Sequence, residues 1–114
     1  MKTDSVTMAL LYDYYGGLLT EKQRTCFDLY YNQDYSLAEI AAEAGISRQG
    51  VHETIARAEA LLRNFEAQVG CLAREARVQQ AAGEIAAAAR SLVAGGDVPA
   101  LAAEILRAVE TIKE

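Results

Sequence analysis

"SLAEIAAEAGISRQGVHETIARAEALL", residues 36–62, holds two helix-start signals with a single glycine between them. Ser36 to Glu39 is a capping box: the serine hydroxyl takes the amide three residues on, and the glutamate reaches back to the serine amide. The helix that follows is short, because Gly45 can adopt the left-handed conformation that a tight stop requires. Ser47 then caps a second helix at once. Two helices joined by a tight glycine turn form a helix-turn-helix. Its physical demands are met residue by residue. Ala41 supplies a small side chain where the helices approach most closely, Gly45 tolerates positive φ, and Ile40, Ile46, Val51 and Ile55 pin the second helix onto the first.

With Val51 and Ile55 facing inward, a step of 100° per residue leaves Gln49, Glu53, Ala56 and Ala60 outermost. Arg48 and His52 flank that row on one side and Arg57 on the other. Such a helix can read a major groove. Arg48 suits guanine O6/N7 or a phosphate, and Gln49 suits adenine, each good pair being worth about 1–3 kcal/mol of discrimination. His52 can donate to a phosphate or a base edge. Ser47 and the free amides at the helix start suit a phosphate. Lys22 and Arg24, early in the preceding helix, are candidate backbone anchors. Gly50 is out of place, since glycine inside a helix costs about 1 kcal/mol against alanine. The same helix pair also serves in purely structural bundles, where these charges are merely solvated.

Outward from this motif the chain reads as all-α. Residues 5–15 form a first helix, with Val6, Ala9, Leu10 and Tyr14 at core-facing spacing and Gly16–Gly17 ending it. Thr20 to Gln23 is another capping box, for a helix to about Asn32 that places Phe27, Tyr30 and Tyr31 on one face. From Val51 the apolar positions Val51, Ile55, Ala58, Leu62, Phe65, Val69 and Leu72 step by four and three, a heptad seam. Val78, Ile85 and Leu92 follow out of phase, which predicts a break between Gly70 and Arg77. Pro99 suits the first turn of a last helix carrying Val98, Leu101, Ile105, Val109 and Ile112. All six tyrosines and both phenylalanines lie at or before Phe65, whereas residues 67–114 are rich in alanine. This divides the chain into a helix-turn-helix head, 1–66, without a wing, and a helical extension, 67–114. The seam outruns so small a head and favours pairing of two chains, a homodimer.

The totals exclude several classes. A net charge of −5 is the wrong sign for a strong nonspecific nucleic-acid binder, so DNA must meet a local basic surface. No apolar run is long enough to cross a membrane, and the start lacks a secretory pattern. Cys26 and Cys71 match no metal spacing and read as small buried apolar groups in a cytoplasmic protein. With one histidine, no phosphate-cradling loop and no nucleophile–base pair, the chain is expected to be no enzyme and to need neither metal nor cofactor.

"LLTEKQR", residues 18–24, and "DYSLAEIAAEAGISRQGVHETIARAEALL", residues 34–62, closely resemble the YlxM-type bacterial proteins. These carry a helix-turn-helix like the last region of sigma factors. The resemblance spans about residues 8–70. It implies a cytoplasmic, dimeric, DNA-binding regulatory protein with a role in the signal recognition particle pathway. It also implies an alternative: a protein-interaction module for that particle's GTPase or RNA. The chain departs from the family at Gly50, where alanine is usual, at His52, where an aromatic is usual, and in its alanine-rich tail.

Overall fold

The computed structural model describes residues 4–113. Among these are six α-helices and no strand: α1 (Ser5–Tyr15), α2 (Glu21–Tyr31), α3 (Leu37–Ala44), α4 (Arg48–Val69), α5 (Cys71–Val93) and α6 (Val98–Lys113). One 3-10 turn, Gly16–Leu18, follows α1. No helix among the described residues is long and apolar enough to cross a membrane.

The helix starts follow from their caps. Thr20 Oγ1 accepts the Gln23 amide (3.2 Å) and the Gln23 side chain accepts the Thr20 amide (2.9 Å). Ser36 and Glu39 repeat the exchange at 3.1 and 3.0 Å. Ser47 Oγ takes the Gly50 amide at 2.9 Å. Gly45 stops α3 at φ 69°, and the Ile46 amide closes onto the Ala41 carbonyl at 3.2 Å. That closure is the C-terminal stop the sequence calls for.

The chain divides into two compact units, one ending at Leu72 and the other beginning at Ala73. The compositional change near residue 66 falls inside α4, which continues to Val69. In the first unit α4 packs against α1, α2 and α3. Two clusters fill it. Met8, Leu11, Tyr15, Leu19, Phe27, Ala58 and Leu62 form one, and Cys26, Tyr30, Ile40, Ala41, Val51 and Ile55 the other. Phe27 lies between Tyr12 and Tyr31, stacked on them with ring centroids 4.7 and 4.4 Å apart. Burial raises the Cys26 thiol above its ordinary value, in keeping with an inert core residue. Cys71 is free and half-buried.

Two expectations are corrected. On α1 the buried face is Met8, Leu11 and Tyr15, whereas Val6, Leu10 and Tyr14 are exposed and Ala9 is half-buried. The helix is apolar nearly all round, so spacing alone does not choose its face. The heptad seam is filled within the chain: Val51, Ile55, Ala58 and Leu62 are buried in the two clusters, and only Val69 is largely bare. It therefore offers no two-chain seam along its first three turns. The expected break does occur. Gly70 adopts φ 72° and ends α4.

A polar joint holds that break. The Tyr15 hydroxyl donates to Glu66 Oε1 at 2.7 Å and accepts the Cys71 amide at 3.0 Å. Glu66 Oε1 also accepts the Leu72 amide at 2.9 Å. The first free amides of α5, which no intrahelical carbonyl can reach, are thereby satisfied. Burial and the Glu66 carboxylate push the Tyr15 phenol well above its ordinary value.

The second unit holds the rest of α5 and α6, joined by a four-residue connection. Gly95 at φ 90° turns the chain, and the Gly96 amide closes onto the Ser91 carbonyl at 2.9 Å. A connection this short folds α6 back as the second arm of a helical hairpin. Its fully buried residues are all alanines: Ala81, Ala88 and Ala108.

Candidate nucleic-acid interface

α4 is fixed on one face and bare on the other. Val51 and Ile55 are almost fully buried against Ile40 and Ala41 of α3, which locks the helix–turn–helix angle. Around the turn, Ala41, Gly45 and Val51 occupy the close approach, the left-handed stop and the inward face. Opposite, Arg48, Gln49, His52, Glu53 and Arg57 are all exposed, together with Ala56 and Ala60. The sequence-predicted row is thus assembled on one surface.

Within it, Gln49 Nε2 donates to Glu53 Oε1 at 3.3 Å, which orients the amide of the outermost row. One Gln49 N–H and its carbonyl oxygen stay available, the pair needed for adenine N7 and N6. Arg48, Gln49 and His52 line an open groove of about 470 Å³ with Leu37, the first residue of α3. A smaller hollow beneath it is bounded by Tyr30, Leu37, His52, Ile55, Ala56 and Glu59. Leu37 was not singled out from the sequence. Its position straight after a cap is the signal that places it beside the start of the next helix.

Ser47 is exposed, but its hydroxyl oxygen already accepts the Gly50 amide. Thr54 Oγ1 donates to the Gly50 carbonyl at 2.8 Å, a bond absent from the sequence reading. Lys22 is exposed in the first turn of α2, beside an open groove it shares with Thr20, Glu21, Thr25, Cys26 and Ala44. Arg24 is half-buried. Its Nη1 donates to the Leu19 carbonyl at 2.7 Å, so part of its guanidinium serves the turn before α2.

Acidic groups share this surface. Glu39, Glu43 and Glu53 are exposed on α3 and α4. The Ser36 amide hydrogen bond holds the Glu39 carboxyl below its ordinary value, so it stays charged at neutral pH. Tyr31 hydrogen-bonds Glu59 and so ties α2 to α4. Among the described residues no group of three or more His, Cys, Asp or Glu side chains comes together to hold a metal.

Comparison with known proteins agrees with this geometry. The UPF0122 family model, described as "Putative helix-turn-helix protein, YlxM / p13 like", matches residues 2–92. A UPF0122 protein of Thermoanaerobacter sp. (strain X514) is 50% identical over 78 residues, 68% of this chain and 67% of that protein. One from Symbiobacterium thermophilum is 50% identical over 74 residues, 65% and 69% of the two chains. One from Geobacillus kaustophilus is 45% identical over 80 residues, 70% and 73%.

Proposed function

Because this chain belongs to the YlxM / p13-like helix-turn-helix family, we propose that it is a cytoplasmic DNA-binding regulatory protein without enzymatic activity. In this reading the start of α4 enters the major groove and α3 supports it. One observation carries the proposal: the polar row from Arg48 to Arg57 is bare along a helix whose opposite face is locked in the core. A rigid helix with a free polar edge is what groove reading needs. Arg48 and Gln49 are assigned to base edges, His52 and Ser47 to the adjoining phosphate, and Lys22 and Arg57 to the flanking backbone. A dimer would set two such heads on half-sites about 34 Å apart if it separates them by one DNA turn.

The test is a mobility-shift series over salt with the full chain. Retained complexes at low salt, lost with Arg48→Ala and Gln49→Ala, support the reading. No complex at low salt with Arg48 intact overturns it.

The acidic surroundings favour a second reading. Glu39, Glu43 and Glu53 beside the row, and a net charge of −5, suit a protein partner with a basic surface. By the family resemblance, that partner would belong to the signal recognition particle, its GTPase before its RNA. A pulldown retaining that GTPase, undisturbed by Arg48→Ala and Gln49→Ala, would favour this second role.

A further inference from the structure

The reading row carries an acid at its centre. Glu53 is exposed on the outermost line of α4, one turn after Gln49 and one turn before Arg57. A glutamate followed by an arginine at i, i+4 favours an ion pair. Here the carboxylate turns the other way. Gln49 Nε2 donates to Glu53 Oε1 at 3.3 Å, and among the described residues no ion pair joins Glu53 to Arg57.

That bond decides which way the Gln49 amide faces. Turned over, its oxygen would lie against the carboxylate, two acceptors with no proton between them. The amide therefore keeps its oxygen and one N–H on the side away from Glu53. Together these match the N6 donor and N7 acceptor of adenine, a pattern no other base presents. A glutamine free to flip also meets guanine, whose N7 and O6 only accept.

Glu53 has capacity to spare. Oε1 takes the Gln49 N–H and Oε2 is uncommitted. In a major groove, guanine N7, guanine O6 and thymine O4 repel a carboxylate, while the cytosine N4 amine donates to it. Four residues advance a helix by about 6 Å, and base pairs rise by about 3.4 Å, so Oε2 meets its donor within about two base pairs of the adenine.

We propose that Gln49 and Glu53 form one reading unit, in which Glu53 holds the Gln49 amide toward an adenine and itself accepts from the N4 amine of a neighbouring cytosine. The inference rests on the groove reading of α4. It also gives an acid a physical role on a surface that meets phosphates. On a wrong sequence the carboxylate finds no donor and lies among phosphate and base acceptors, which weakens the complex. Glu53 lowers affinity everywhere except where a donor waits.

Selection from a randomised duplex by the full chain at low salt, followed by fluorescence anisotropy on the recovered sites, tests this. The wild type should recover a fixed A·T pair with a fixed C·G pair within two steps of it. Replacing that cytosine by 2-pyrimidinone, which lacks the N4 amine, should weaken the wild type by about tenfold or more and Glu53→Ala by less than about threefold. Glu53→Ala should also bind a duplex of unrelated sequence about threefold more tightly, and should tolerate guanine in place of the adenine with a penalty about tenfold smaller. Recovered sites without the fixed C·G pair overturn the inference, as does an equal loss on 2-pyrimidinone for wild type and Glu53→Ala; the groove reading then stands. Recovery of no DNA at low salt overturns the groove reading and this inference with it.

Discussion

Gly45 and Gly50, five residues apart, respond to alanine in opposite directions. Gly45 sits at φ 69°, where a Cβ finds open space but the wrong backbone region. Gly45→Ala should cost about 1–2 kcal/mol, the penalty of a left-handed residue with a side chain. Gly50 lies in the first turn of α4, and a Cβ there would meet Ser47 Oγ at 3.2 Å, with Ile46 Cδ1 and Cβ at ordinary contact distances of 3.7 and 4.0 Å. The hydroxyl is on an exposed side chain and can shift by the few tenths of an ångström required. Gly50→Ala should therefore stabilise the fold by about 0.5–1 kcal/mol through helix propensity. Urea unfolding of both variants checks the pair, and a destabilised Gly50→Ala would mean that the cap cannot give. The role of Gly45 was legible because a stop signal and a cap flank it. That of Gly50 was not, since a glycine in a helix looks the same whether its neighbours leave room or not.

At the level of elements, caps were legible and faces less so. Each capping box is a local arrangement of four residues, and nothing distant competes with it. Glu39 supplies a pH test. Its carboxyl is held below the ordinary value of 4.5 by the Ser36 amide, so its contribution is complete above that pH and is lost as acid protonates it. Gln23 does the same work at Thr20 without a charge. Glu39→Gln should accordingly keep the cap and flatten the fall in melting temperature between pH 5 and pH 3. A variant whose acid slope matches the wild type would show that Glu39 does not govern it. The α1 face was illegible for a different reason. Val6–Leu10–Tyr14 and Met8–Leu11–Tyr15 are both apolar stripes, and the partner helices decide between them. The Tyr15–Glu66–Cys71 joint joins groups more than fifty residues apart, which no periodicity records. Tyr15→Phe leaves the Cys71 amide without its acceptor and should cost about 1–3 kcal/mol. With the phenol held above its ordinary value, the wild type should in turn lose stability as pH rises past 10, a loss smaller in Tyr15→Phe, which keeps only the part due to Tyr12 and Cys26.

For the whole molecule, the proposed DNA binding has to work in a chain of net charge −5. Heptad spacing in α4 showed an amphipathic helix but could not say whether its seam closed within one chain or between two. The first unit consumes that seam from Val51 to Leu62, so this stretch of α4 offers no apolar stripe to a second chain. One head on the duplex and two heads on it differ in a measurable way. Two exposed cations on each head are assigned to phosphate, Lys22 and Arg57, while Arg48 is assigned to base edges and Arg24 is partly engaged with the Leu19 carbonyl. With about 0.9 counterions released per neutralised phosphate, one head gives a slope of log Kobs against log salt of about −2, and two heads about −4. The full chain should therefore show the steeper value on a duplex carrying two half-sites and the shallower one on a duplex carrying one. Arg57→Ala should lower the steeper slope by about 2, one cation per head, whereas Arg48→Ala should relax base discrimination and leave the slope nearly unchanged. A slope of about −2 on both duplexes would mean that one head at a time meets the DNA, and two-headed binding would then fail.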